Sequence, residues 1–156
     1  MKTDKSYGKS IKVSDLPSGT RKAFPSTSDA DGTMGGLPSS LLKQVLPRIL
    51  ERVQEYYDTV NALEWQLVGS SILVVYEGEA TALEEALKSP DVDSESEEED
   101  SDDDEDEEKE KRKFACAVKA IDFAHARSKP GQGPDDGYNL GLETVINLLK
   151  GRMEEL

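Results

Sequence analysis

The chain has 156 residues, which is enough for one domain with a buried core. It carries 33 acidic and 19 basic residues, but fourteen of the acids lie between Asp91 and Glu108, so the remaining sequence is balanced in charge. This balance disfavours direct nucleic-acid binding, because binding to a phosphate backbone needs a basic face.

The first 36 residues are rich in Gly, Pro, Ser and Thr and show little periodicity, which predicts an irregular lead-in. Within it, a short helix is predicted over Ser14–Phe24, with Ser14 or Asp15 as its cap. The stretch Pro25–Gly36 has the composition of a loop.

A longer helix is predicted next, capped by Ser39 or Ser40. Apolar residues recur there at spacings of three and four, which is typical of a helix with one buried face. These residues are Leu42, Val45, Leu46, Ile49, Leu50, Val53, Tyr56, Tyr57 and Val60. Pro47 lies inside the pattern and predicts a kink or a division of the helix into two pieces.

Two strands are predicted in the middle of the chain. Glu64–Val68 alternates between polar and apolar residues, which places Trp65 and Leu67 on one face. Gly69 follows and permits a bulge or a close approach of another backbone. Ile72–Tyr76 is a short apolar run, typical of a buried strand.

The segment Thr81–Glu84 has the pattern of a capping box and predicts a short helix that ends near Lys88. Residues 89–113 form an acidic run followed by basic residues, and such a segment is predicted to be disordered because it cannot bury apolar surface. Phe114–Ile121 is predicted to be a strand that pairs antiparallel with Ile72–Tyr76.

The last part of the chain predicts a turn over Gly131–Gly137 and a helix over Tyr138–Glu155, capped by Asp135 or Asp136. The residues expected to face inward on this helix are Leu142, Val145, Ile146, Leu149 and Met153. The sequence therefore predicts an α+β fold in which antiparallel strands are flanked by helices and interrupted by a disordered acidic insert.

Polar side chains that can bind ligands or take part in catalysis lie at the ends of the two apolar strands. Asp122 directly follows Phe114–Ile121, and Phe123 can fix the turn after it. A carboxylate at the end of a rigid strand can hold a nucleotide-bound magnesium ion, although an aspartate there can equally cap a turn. Ser70 and Ser71 precede the other strand, where their hydroxyls can contact phosphate or bond to their own backbone.

His125 is the only histidine and comes three residues after Asp122. An imidazole there would suit a phosphorylated ligand, although lone histidines are more often structural. Arg127 and Lys129 can add positive charge nearby or can simply be solvated. Cys116, the only cysteine, lies in an apolar strand and is expected to be a packed core thiol, which excludes an intramolecular disulfide and suits a reducing compartment.

Three segments carry a family resemblance when they are taken together. They are Ser70-Ser-Ile-Leu-Val-Val-Tyr-Glu-Gly78, Ile121-Asp-Phe-Ala-His125 and Gly133-Pro-Asp-Asp-Gly-Tyr138. In this order they resemble the inositol polyphosphate kinase family, and most closely its multikinase branch. The resemblance runs from about Asp4 to Leu156 and covers only the later part of the family's sequence, which implies the C-terminal lobe of an inositol polyphosphate kinase-like fold.

The resemblance also implies roles for individual residues. It implies that Asp122 binds the metal ion, that Ser70 and Ser71 face the nucleotide phosphates, and that His125 belongs to the substrate pocket. The implied cofactor is Mg²⁺, with ATP as co-substrate and inositol phosphates as substrates. The family's Ser-Ser-Leu-Leu reads Ser-Ser-Ile-Leu here, a change that keeps both hydroxyls.

One family motif has no match in these 156 residues. This is the phosphate-transfer signature Pro-x-x-x-Asp-x-Lys-x-Gly, of which Pro25–Thr33 is only a chance echo with an acid at the lysine position. The resemblance places the signature and the smaller nucleotide lobe before residue 1. We therefore expect Met1 to be an internal methionine of a longer sequence, assign no catalytic residue in this chain, and expect the isolated chain to be inactive.

A second hypothesis is a non-catalytic interaction protein in which residues 91–108 bind basic protein partners. Three serines in or near this run, Ser94, Ser96 and Ser101, have an acid three residues later, a pattern that suits acid-directed serine kinases. The N-terminus lacks an apolar signal segment, and no stretch approaches the ~20 apolar residues of a membrane span. We expect an intracellular protein of the nucleus, the cytoplasm or both.

The acidic insert is expected to be dispensable for folding. Replacing Pro90–Glu110 with a short Gly/Ser linker should leave the thermal unfolding midpoint nearly unchanged, because halving a loop changes its closure free energy by only ~0.6 kcal/mol. Calorimetry of the two proteins tests this. Loss of a cooperative unfolding transition in the shortened protein would show that the insert is part of the folded structure.

Overall fold

The structure is a computed structural model and describes residues 5–29, 35–88 and 114–156. The predicted acidic insert at 89–113 lies outside the described residues, as does part of the predicted loop, residues 30–34. The helices of the described part are α1 (Lys5–Ser10), α2 (Leu16–Ala23), α3 (Ser39–Asn61), α4 (Ala80–Lys88) and α5 (Asp136–Glu155), with a 3₁₀ turn at Val13–Asp15. Its strands are β1 (Trp65–Leu67), β2 (Ser71–Tyr76), β3 (Cys116–Ile121) and β4 (Ala126–Ser128).

The strands form two antiparallel pairs, β1 with β4 and β2 with β3. The predicted pairing of β2 with β3 and the predicted α+β class are both confirmed. Leu67 lies opposite Ala126 in one pair, and Ser71 lies opposite Ile121 in the other. Three residues, 68–70, therefore connect β1 to β2, while four residues, 122–125, connect β3 to β4. The unequal lengths interrupt the pairing between the two ladders, as a bulge does.

The core is built where α3 packs against α5, with α4 and β3 also against α3. The buried residues of α3 are Leu41, Leu42, Val45, Leu46, Ile49, Val53 and Val60, which confirms most of the predicted stripe. From α5, Leu142, Ile146 and Leu149 are buried, while Val145 and Met153 are partly buried against the same core. Cys116 is buried in the core, as predicted.

Pro47 does not divide α3, which runs unbroken from Ser39 to Asn61. An internal proline costs about 3 kcal/mol or more because it removes a hydrogen bond and crowds the preceding turn. Here Leu46 and Ile49 on either side of it are fully buried, and each such side chain contributes ~1.5–3 kcal/mol. The packing on both sides therefore offsets the penalty.

Two predicted caps are wrong. Pro38, and not Ser39 or Ser40, is the residue before α3, and the Ser39 hydroxyl instead bonds to that of Ser26 at 2.8 Å. In α4 the carboxylate of Glu79 accepts hydrogen bonds from the main-chain N–H groups of residues 81 and 82, at 3.0 and 2.6 Å. These bonds lower the pKa of Glu79 and make it the cap in place of Thr81.

The strand β2 was predicted to be buried, but it is covered on one face only. Its residues alternate in exposure, and the side chains of Leu73 and Val75 are 43% and 39% exposed. A pair of strands that packs on helices with one face leaves every second residue outward. Val74 lies on the covered face, where it packs against the core.

The lead-in is more ordered than its composition predicts. It contains the helix α1, which was not predicted. It is also attached to α5 through Arg152, a buried residue that is only 3% exposed. The guanidinium donates to the Phe24 carbonyl at 3.1 and 3.0 Å and to the Asp29 carboxylate at 2.7 Å. A buried guanidinium is stable only with such partners, so these contacts fix the segment that follows α2. Across the described ranges, no helix has both the length and the apolar character that crossing a bilayer requires.

Replacing Leu149 by alanine should be costly, whereas Lys150→Ala should have little effect. Leu149 is 2% exposed within the α3–α5 contact, where deletion of such a side chain costs ~2–5 kcal/mol, while Lys150 lies on the exposed face of α5. Urea unfolding of both variants measures the difference. Equal losses at the two positions would contradict the helix orientation.

Candidate functional site

Asp122 is the first residue after β3 and occupies a backbone conformation unusual for its type. Its φ angle is +65°, the only positive φ outside glycine among the described residues. The left-handed region costs an ordinary L-residue ~1–2 kcal/mol, and aspartate is one of the few types that enter it readily. The side chain is exposed, and no described residue donates a hydrogen bond to its carboxylate.

Ser70 lies across the ladder interruption and braces this turn. Its hydroxyl donates to the main-chain carbonyl of Asp122 at 3.2 Å. Gly69, whose φ is +74°, makes the reversal that places Ser70 there, a conformation that favours glycine. Ser71 begins β2 opposite Ile121, one residue before Asp122. The structure thus brings together three of the residues singled out from the sequence, although they are some fifty positions apart.

The chemistry of these side chains fits a small divalent cation. The Asp122 carboxylate and the Ser70 and Ser71 hydroxyls are hard oxygen donors of the kind that Mg²⁺ and Mn²⁺ prefer. Nowhere in the described ranges do three His, Cys, Asp or Glu side chains cluster to form a metal cage. A single carboxylate suits an ion that keeps water and substrate phosphates as its other ligands, which is the usual mode of Mg²⁺ with nucleotides.

The β1–β4 pair forms a second part of the site. Gln66 lies directly opposite Arg127, so both side chains project from the same face. His125 directly precedes β4 and Val68 directly follows β1. These four residues line an open depression of about 430 Å³. His125 therefore lies three residues beyond Asp122, at the wall of this open depression.

The strand pair is held to α5 by Asp135, which caps that helix as predicted. Its carboxylate accepts from the main-chain N–H of Leu67 at 3.0 Å and from that of Tyr138 at 3.0 Å. These two bonds are the main reason that the pKa of Asp135 is lowered, and the ammonium of Lys129 adds to the effect. One carboxylate thus joins β1 to the start of α5, beside a smaller depression of about 290 Å³.

Sequence reasoning missed Gln66, and for Arg127 it left open both added positive charge near the site and a solvated side chain. The strand β4, on which Arg127 lies, has only three residues and gives no periodic signal. Lys129 is half-buried, and its main-chain N–H donates to the Glu64 carbonyl at 2.7 Å. The pairing of β1 with β4 could be recognised only after the partner strand was known.

The comparison with protein families decides the assignment. The family model described as inositol polyphosphate kinase matches residues 1–150. The chain belongs to the inositol polyphosphate kinase family. This confirms the resemblance read from the Ser-Ser-Ile-Leu and Ile-Asp-Phe-Ala-His segments.

Individual relatives agree with this family. Inositol hexakisphosphate kinase 3 of Mus musculus is 28% identical over an alignment 159 residues long, which covers 97% of this chain and 33% of the mouse protein. The crystal structure of inositol phosphate multikinase Ipk2 from S. cerevisiae, in complex with ADP and Mn²⁺, has the same fold, with a TM-score of 0.66 at 23% identity. That match covers 96% of this chain and 50% of the yeast chain. The chain thus spans a third of one relative and half of the other.

The backbone at residue 122 predicts an unusual order of stability. Asp122→Ala should be less stable than Asp122→Gly by about 1 kcal/mol. Both variants lack the carboxylate, but a positive φ destabilises alanine and not glycine. Urea unfolding of the two variants gives the difference. At Lys119, an exposed residue of β3, the order should reverse, since glycine weakens a strand by ~0.5–1 kcal/mol. Alanine as the more stable variant at both positions would contradict the turn geometry.

Proposed function

We propose that this chain is part of an inositol phosphate kinase, which transfers the γ-phosphoryl group of ATP to a hydroxyl of an inositol phosphate. The observation that carries the proposal is the Ser70–Asp122 contact at the ladder interruption, next to the depression lined by His125. An exposed carboxylate and a phosphate-binding wall on one continuous piece of backbone are what a metal-dependent transfer between two phosphorylated ligands needs. Membership of the family supports the same reaction.

The metal side of the site is assigned to Asp122. Its carboxylate would hold Mg²⁺, and the hydroxyl of Ser71, at the start of β2, would face the phosphates of ATP. A bound Mg²⁺ neutralises charge on the phosphates and orients them. The likeness to a yeast multikinase solved with ADP and Mn²⁺ supports the use of a nucleotide and a divalent ion here. The hydroxyl of Ser70 has a structural role, because it donates to the main-chain carbonyl of Asp122 and so stabilises the turn that carries the carboxylate.

The substrate side is assigned to His125. An imidazole at the wall of an open depression can donate a hydrogen bond to a phosphate or hydroxyl of an inositol phosphate. It lies on the turn that begins at Asp122 and is closed by a hydrogen bond from the Ala126 N–H to the Phe123 carbonyl at 2.9 Å. The same turn thus carries the proposed metal ligand at its start and the proposed substrate ligand at its end.

These residues supply positioning, but they do not supply the whole catalytic set. The 156 residues contain no Pro-x-x-x-Asp-x-Lys-x-Gly signature, and phosphoryl transfer depends on cations arranged around the transferred group. We therefore propose that the chain contributes the metal and substrate contacts of a longer enzyme and does not turn over alone. Two further hypotheses stay predictions. One is that the chain is a non-catalytic interaction protein whose residues 91–108 bind basic protein partners, and the other is that the protein is located in the nucleus, the cytoplasm or both.

Asp122→Asn should abolish most of the activity of a longer enzyme built by joining this chain to the missing family segments. Asparagine keeps the volume and tolerates a positive φ but loses the anionic oxygen, so the rate should fall by ~10²–10³ or more. Transfer of labelled phosphate from ATP to a mixed inositol phosphate pool measures it.

Asp58→Asn, at an exposed position near the end of α3, is the matched control and should leave the rate unchanged. Undiminished turnover of the Asp122 variant would refute the metal assignment. Robust turnover by the 156-residue chain alone would refute the proposal that these residues need the rest of the enzyme.

A further inference from the structure

The outer face of the β1–β4 pair carries an arginine whose charge has no partner in the described part of the chain. Arg127 is exposed and makes no hydrogen bond or ion pair with any described residue. The other described arginines are engaged: Arg21 pairs with Glu155, Arg48 donates to the Leu87 carbonyl, Arg152 is buried on Phe24 and Asp29, and Arg52 also has a partner. Arg127 is therefore the one described arginine whose guanidinium is free to bind a ligand outside the described residues.

The surroundings of Arg127 are those of an anion site. Among the described residues, the wall of the 430 Å³ depression consists of Gln66, Val68, His125 and Arg127, none of which is acidic. Gln66 stands directly across the ladder from Arg127, at the ~4.5–5.5 Å between β-carbons that opposed residues have. A guanidinium, an imidazole and a carboxamide thus line one open surface depression.

The chemistry of these groups selects a phosphorylated polyol. A guanidinium binds phosphate through two parallel N–H···O bonds, and a carboxamide can both donate to and accept from a ring hydroxyl. Val68 offers an apolar surface for the C–H face of a ring. A charged residue on a short edge strand can also serve to prevent pairing with other chains. That role would not require a histidine and a glutamine beside the arginine.

We propose that Arg127 is a substrate-recognising residue that binds a phosphate of the inositol ring remote from the hydroxyl that reacts, and that it favours the more highly phosphorylated inositols. The inference rests on the proposed function and extends it from a single histidine to a pair of hydrogen-bond donors, His125 and Arg127. Because both donors flank one depression, affinity should rise with each phosphate on the ring that can reach them.

The single histidine makes the test direct. In the 156-residue chain the imidazole C–H protons of His125 give one resolved set of NMR signals, which report on the depression during titration with a ligand. Inositol hexakisphosphate should shift these signals, inorganic phosphate should do so only at far higher concentration, and unphosphorylated inositol should not. Arg127→Gln should weaken the hexakisphosphate about tenfold, and Arg127→Lys less, because an ammonium keeps the charge without the bidentate geometry.

Lys150→Gln removes one positive charge from the exposed face of α5 and is the control. It should leave the titration unchanged, and the thermal midpoints of all variants should agree. Equal affinity of wild-type protein and the Arg127→Gln variant would overturn the inference. So would an equal loss in the Lys150 variant, which would indicate unspecific charge, or the absence of binding by the wild-type chain.

The same variants separate this inference from the proposed function. In the longer enzyme Arg127→Gln should raise KM for the inositol phosphate more than it lowers kcat, while Asp122→Asn acts on kcat. An unchanged KM in the arginine variant together with an inactive Asp122 variant would overturn the inference and leave the kinase proposal standing. Weakened hexakisphosphate binding together with a fully active Asp122 variant would support the anion site and overturn the metal assignment.

Discussion

The register between β2 and β3 determines where Ser70, Ser71 and Asp122 of the candidate site lie. Residues 77–115 separate these two strands in the sequence, and the pairing places Ser71 opposite Ile121. Because side chains alternate along a strand, a slip of one residue would turn Val74 and Val118 out of the core, where both are packed. The hydrophobic pattern thus selects one register, and that register places Ser70 within hydrogen-bonding distance of the Asp122 carbonyl.

The register alone would leave the site on a thin two-stranded ribbon, and the helices make it rigid. The Tyr76 hydroxyl donates to the Ala23 carbonyl at 2.8 Å, and burial raises the pKa of that tyrosine. In the other strand pair, the Asp135 carboxylate accepts a hydrogen bond from the main-chain N–H of Leu67 in β1. The same carboxylate caps α5, which packs along α3. A site held by strands that are tied to a helical core keeps its geometry better than one held by loops.

The sequence predicts the long elements well and the short ones poorly. The stripe of α3 and the pairing of β2 with β3 follow from periodicity, and the cap at Asp135 follows from turn chemistry. By contrast, β4 has three residues and α1 has six, which is too few for a period to emerge. For the site, sequence reasoning grouped Asp122 with the two serines, but the wall of the depression depends on which strands lie side by side.

The two sides of the site differ in charge, and this difference explains their order along the chain. The ladder interruption begins at Asp122, an anion suited to a cation, and ends at His125, which, like Arg127 in the adjoining β4, offers N–H donors to an anion. A metal-bound nucleotide and an inositol phosphate repel each other, so opposed groups only a few residues apart can hold both ligands against that repulsion. Transfer needs in addition a cation at the migrating phosphoryl group, and the signature that supplies it in the family has no match in the 156 residues. The proposed function therefore predicts that this chain can bind an inositol phosphate without transferring a phosphoryl group to it.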